Sequence, residues 1–164
     1  MKKWILIFIS LILLVLDNSF MPFLAIKGAF PSLLFTFAVA YSIINGRFGA
    51  IFIGVTSGVI QDLFFYNGFG INSLINMIVC FVAAIIGENI YREKRLIPVV
   101  SIIFLYIIKI LLIFAIFELN GKTINLKVGM ITAVYSSVIM FFGYNFALKL
   151  YFIENKKNSW RAKW

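Results

Sequence analysis

Residues 46–62 read GRFGAIFIGVTSGVIQD, and this stretch decides what kind of molecule the chain can be. Gly46, Ala50, Gly54 and Gly58 recur every four residues in an apolar segment, and Asp62 follows four further on. In water each glycine weakens a helix by about 1 kcal/mol relative to alanine. In a bilayer the absent side chains let a second helix backbone come close, and packing replaces the hydrophobic effect as the source of cohesion. A carboxylate at the end of such a ridge is costly in lipid and is therefore a candidate functional group. Four residues advance a helix by about 400°, so the stripe drifts by about 40° per step. Gly54, Gly58 and Asp62 share one face, whereas Gly46 has turned to another. Ala50, Gly54, Gly58, Gln61 and Asp62 are read as a packing surface, either within the protein or toward a partner's helix.

The rest of the chain agrees with a lipid solvent. Of 164 residues 63% are hydrophobic and 13% charged, and mean hydropathy is +1.04. Globular domains are about 45–50% apolar, so this excess exceeds what one water-soluble core can bury. Histidine is absent, which argues against imidazole catalysis, metal ligation and proton relays. Cys80 is the lone cysteine and lies in an apolar run, as a buried thiol with no intrachain disulfide partner. No cofactor or metal is expected.

A helix needs about 20 apolar residues to cross a bilayer core of about 30 Å. Six segments are candidates: Trp4 to Leu24, Pro31 to Ile44, Phe48 to Phe65, Ser73 to Ile90, Pro98 to Phe117 and Val128 to Phe152. The second is short enough to be tilted or re-entrant. The first is too long for the core of a signal peptide and lacks a small-residue cleavage site, so it is read as a span. The chain is expected to be an all-α integral membrane protein, with residues 1–153 as one six-helix domain and 154–164 as a basic cytoplasmic tail.

The net charge of +9 would suggest nucleic acid in a soluble protein, but here the cations fall in the gaps between apolar runs. With the N-terminus inside, 11 Lys and Arg lie on the cytoplasmic side and 3 outside, leaving Lys109 in the membrane. The positive-inside rule then places both termini in the cytoplasm. Arg92, Lys94, Arg95, Lys156 and Lys157 are candidate contacts for an acidic cytoplasmic partner or anionic lipid, or simply an interfacial rim.

Three ionisable groups fall within spans. Asp17 and Asp62 lie about 20 Å along two outward-running helices, and Lys109 lies near mid-membrane. A buried cluster of Asp17, Asn18, Asp62 and Lys109 is expected, with Lys109 neutralising one acid, because a lone charge costs about 2.5–3.5 kcal/mol there. The cluster is open to three readings: a structural ion pair, a contact for another protein's helix, or an ion or substrate path. Tyr66 to Ser73 forms an outer turn in which Gly68 and Gly70 permit left-handed backbone, and Asn72 or Ser73 caps the next helix.

Several marks in fixed order resemble the MreD family of rod shape-determining proteins. They are Leu16-Asp17, Gly28-Ala29-Phe30-Pro31, Ala40-Tyr41, Asn45-Gly46-Arg47, Gly49-Ala50, Gly54 through Gly58 to Gln61-Asp62-Leu63-Phe64, and Gly70-Ile71-Asn72-Ser73-Leu74. Ser32 departs from the aspartate that often follows this proline in the family. The resemblance implies a non-enzymatic scaffold of the cell-wall elongation machinery in the bacterial cytoplasmic membrane. It implies association with MreC, a single-span protein with a large outer domain, alongside MreB, RodA and a class B transpeptidase. It also implies a fold like that of the substrate-binding subunits of energy-coupling vitamin transporters. A homo-oligomer is left open. The alternative is a substrate-binding subunit of a small-molecule transporter, against which stands the absence of alanine from Trp4 to Leu24. An integral membrane enzyme is a third reading, with no clustered acids to support it.

Overall fold

The computed structural model describes residues 3–64, 70–89, 96–119 and 126–161, with side chains as far as Phe152 apart from Leu96 and Leu150. All its regular elements are helical: α1 (Lys3–Ser19), α2 (Leu33–Phe64), α3 (Ile71–Glu88), α4 (Leu96–Leu119) and α5 (Leu126–Arg161), with a 3-10 turn at Met21–Leu24. Four stretches are long and apolar enough to cross a bilayer: Leu33–Phe64, Ile71–Glu88, Ile97–Leu119 and Leu126–Lys149.

α2 is two helices joined at Gly46, where φ is 74° and ψ is −174°. Only glycine adopts that conformation without a steric penalty. The break reverses the chain. Ser32 and Gln61, which a straight helix would hold about 44 Å apart, have side-chain atoms 3.5 Å apart. The arms are residues 33–45 and 47–64. Nothing in the first arm from Leu34 to Ile44 reaches the surface, the signature of a helix surrounded by protein. Its 13 residues extend about 20 Å, short of a full bilayer core. Enclosed by its neighbours, it has no need to match the lipid thickness. The expected short second segment is therefore the centre of the bundle.

The other helices enclose this arm. α1 turns Leu6, Ser10, Leu14 and Asp17 inward at helical spacing. It leaves Phe8, Leu11, Ile12, Val15 and Leu16 exposed, an apolar face suited to lipid. The main core joins Phe35, Val39 and Ile43 of the first arm to Val79 of α3, Leu105 of α4 and Met140 of α5. Phe35 meets Tyr106 edge-on at 5.1 Å between ring centres.

Helix ends differ from expectation in physically readable ways. α1 stops at Ser19 rather than Leu24, because Pro22 follows in the 3-10 turn. Lys27 and Gly28, both at positive φ, then make a tight turn in which Ile26 and Ala29 exchange backbone hydrogen bonds. α5 continues through Phe152 to Arg161, so the residues expected as a separate tail begin as helix.

Candidate functional site

The ridge that identified a membrane protein is a packing surface against α3. A Cβ added at Gly54 would lie 2.7 Å from the Met77 Cα and 2.8 Å from the Asn76 carbonyl oxygen. At Gly58 it would lie 2.5 Å from both the Asn72 carbonyl oxygen and the Ser73 nitrogen, and would overlap the Ser73 Cα. These neighbours are backbone atoms and cannot swing aside. Gly87 of α3 repeats the device against Ile43 of the first arm. Ala50 is fully buried in the same interface. The expected alternative, that Gly54 and Gly58 receive a partner's helix, is corrected: α3 already occupies that surface.

Each buried acid caps a helix. Asp17 accepts hydrogen bonds from the Leu33 and Leu34 amides at 2.6 and 3.0 Å and from the Ser32 hydroxyl at 2.9 Å. Ser32 follows Pro31 as the N-cap of α2, and its Oγ also accepts from the Phe35 amide at 3.1 Å. Unpaired amides at a helix start and the helix dipole both favour an anion there. Asp62 does the same for α3. It accepts from the Gly70, Asn72 and Ser73 amides and from Asn72 Nδ2, each at 3.0 Å. The cap expected from Asn72 or Ser73 thus comes from upstream, across the turn. Gly70 takes the left-handed conformation anticipated for it, with φ 97°, while Gly68 lies outside the described residues.

Lys109 is 6% exposed, and the described hydrogen bonds of its ammonium go to amides rather than to an acid. Its Nζ donates to Asn76 Oδ1 at 2.8 Å and, more weakly, to Gln61 Oε1 at 3.4 Å. It also sits 4.0 Å from the centre of the Phe35 ring, within cation–π range. Asn76 Nδ2 donates to Gln61 Oε1 at 2.9 Å, and Gln61 Nε2 reaches Ser32 Oγ at 3.5 Å. The expected Lys109–carboxylate contact is therefore replaced by a chain: Lys109, Gln61, Ser32, Asp17. Two neutral side chains separate the charges and spread their compensation over fixed dipoles.

Asn18 does not join the cluster. It is exposed, and its side-chain amide donates to the Leu14 carbonyl on its own helix. Asn76, fully buried at the centre of the network, was missed by sequence reading. Its signal was a lone amide four residues after Asn72 in the run INSLINMIVCFV. At the opposite end of the bundle the exposed Arg47 pairs with Glu88 at 2.8 Å, fastening the α2 reversal to the end of α3. Arg92, Lys94 and Arg95 lie outside the described residues; Lys156 and Lys157 lie on the last turns of α5.

A cavity of about 460 Å³ opens beside the network, lined by Asp17, Ser32 and Gln61, by Lys109 and its neighbours on α4, and by the start of α5.

These features define a multi-pass helical membrane protein whose two buried acids and glycine ridge are committed to its own architecture. Compared with known families, the chain matches the model of the rod shape-determining protein MreD over residues 1–153, and it belongs to that family. No curated protein and no solved structure matches it. The family is one of shape determination and the rod complex rather than of enzymes. The transporter-subunit alternative gains no support from it.

Proposed function

We propose that this protein is a non-enzymatic scaffold of the cell-wall elongation complex in the bacterial cytoplasmic membrane, holding MreC by its single membrane helix. MreB, RodA and the class B transpeptidase are then reached directly or through MreC. The family match over residues 1–153 carries the reading. Six crossings with both termini cytoplasmic suit it, as does the helix order expected for the substrate subunits of energy-coupling transporters. Supporting that orientation, Asp17, Gly28, Asn72, Phe117 and Val128 gather at one end around the cavity. Arg47 and Glu88 pair at the other end, where Lys3 lies 5.5 Å from the Phe52 ring centre.

With the ridge filled by α3, the partner's helix must use an outward face. Among the described helical glycines, Gly143 of α5 alone has nothing within 4 Å of an added Cβ. It lies beside the exposed Phe142 and Phe146, where the missing side chain lets another backbone approach closely. Cysteine crosslinking tests this. Replacing the buried Cys80 by alanine gives a thiol-free background, and single cysteines go at Phe8 on α1, Phe104 on α4 and Phe142 on α5. Crosslinking to MreC from Phe142 is the expected result. Crosslinking from Phe8 or Phe104 instead would move the interface, and loss of co-purification from wild type would reject the scaffold.

A further inference from the structure

The cavity combines an apolar body with a polar floor whose charges are unequally satisfied. Asp17 receives three short donors, two of them amides at a helix start. Its charge is compensated where it stands. Lys109 offers three N–H donors and places two, one of them on an oxygen 3.4 Å away. Both acceptors are neutral amides and its further neighbour is the face of the Phe35 ring, 4.0 Å away, so the floor carries a positive charge that no acid among the described residues touches. From Lys109 the wall climbs α4 through Ile110, Ile113 and Phe117, about 12 Å along the helix axis. Val128 and Thr132 of α5 face it across the cavity. The volume of 460 Å³ lies within the range of about 300–1,000 Å³ typical of small-molecule sites.

We propose that this cavity binds a small organic monocarboxylate, its acid group on the Lys109 ammonium and its apolar body between α4 and α5. A neutral apolar molecule would fill the walls and leave the ammonium without an anionic partner. A cation would meet Lys109 directly. A carboxylate brings Lys109 the charge that two amides and a ring face do not supply. Lys27, exposed beside Gly28 at the outer rim, adds attraction for an anion. The site is independent of the scaffold reading, since none of its walls is the α5 face around Phe142.

The test uses the full chain in nanodiscs of zwitterionic lipid and three probes of matched shape: 4-phenylbutanoate, 4-phenylbutanol and 4-phenylbutylamine. Affinity is read by ligand-observed NMR and by the rise in unfolding temperature. The acid should bind at least tenfold more tightly than the alcohol, and the amine should not bind. Lys109→Arg should keep the preference and Lys109→Gln should erase it. Thr132→Phe, which puts a bulkier ring in the α5 wall of the cavity, should weaken binding of acid and alcohol together. Equal affinity of wild type for acid and alcohol would overturn the proposal, and this arm needs no variant to fold. Affinities for acid and alcohol that are both unchanged by Thr132→Phe would place the site elsewhere and overturn it as well.

Discussion

Adding one methyl group at Gly58 should loosen the end of the bundle that Asp62 caps, whereas the same change at Gly143 should cost no stability. At Gly58 the new Cβ meets backbone of α3 at 2.5 Å. Real Cβ contacts essentially never fall below 3.0 Å, so the two helices must part by at least 0.5 Å. Overpacking of this kind costs about 1–3 kcal/mol. Because Asn72 and Ser73 are also the residues that Asp62 caps, the displacement stretches hydrogen bonds now at 3.0 Å. Weakening a cap adds about 1 kcal/mol. The gain in helix propensity from glycine to alanine, at most about 1 kcal/mol, offsets only part of this. A net loss of about 2 kcal/mol is expected for Gly58→Ala. Gly143→Ala meets open space and keeps that propensity gain, so it should leave stability unchanged or raise it by up to about 1 kcal/mol. Thermal unfolding of detergent-purified protein, followed by tryptophan fluorescence or fluorescence-detected size exclusion, separates the two. Equal midpoints for the two variants would refute the packing account of the ridge.

Other consequences of the geometry are as direct. Asp62→Ala removes the acceptor for four donors and should destabilise by about 3 kcal/mol or more, seen as faster amide exchange at Gly70 to Ser73. A double-mutant cycle of Lys109→Met with Asn76→Leu should show coupling of at least about 1 kcal/mol, while Lys109→Met with Asp62→Leu should be additive within about 0.5 kcal/mol. Coupling in the second cycle and none in the first would restore a direct ion pair. Gly46→Ala forces a Cβ into left-handed backbone and should cost about 1–2 kcal/mol, measurable as a lowered unfolding midpoint.

The charges show where sequence reading works and where it stops. Asp17, Asp62 and Lys109 stand out because ionisable groups in apolar helices are costly in lipid wherever they go. Two acids at similar depth and a lysine near mid-membrane suggested a contact. The structure found another way to compensate them, giving each acid to a helix start and the ammonium to two amides. Those choices depend on residues 16 and 48 positions apart, such as Leu33 with Asp17 and Gln61 with Lys109. Local pattern carries no information at that range. Asn18 shows the converse: adjacency to Asp17 placed it in the cluster, yet one residue turns a helix by about 100° and faces it outward.

By itself the sequence determined the solvent, the helices, the family and the groups that must be buried. Composition, segment length and the energy of charge in lipid are local or additive, and they leave few alternatives. Only the tertiary structure decided what the ridge grips. Gly54 and Gly58 would look the same facing α3 or a foreign helix, because a missing side chain specifies closeness and not the neighbour. The reversal at Gly46 is the deciding step. It folds the second arm of α2 back beside the first, fastens it to α3, and leaves exposed apolar faces on α1, α4 and α5.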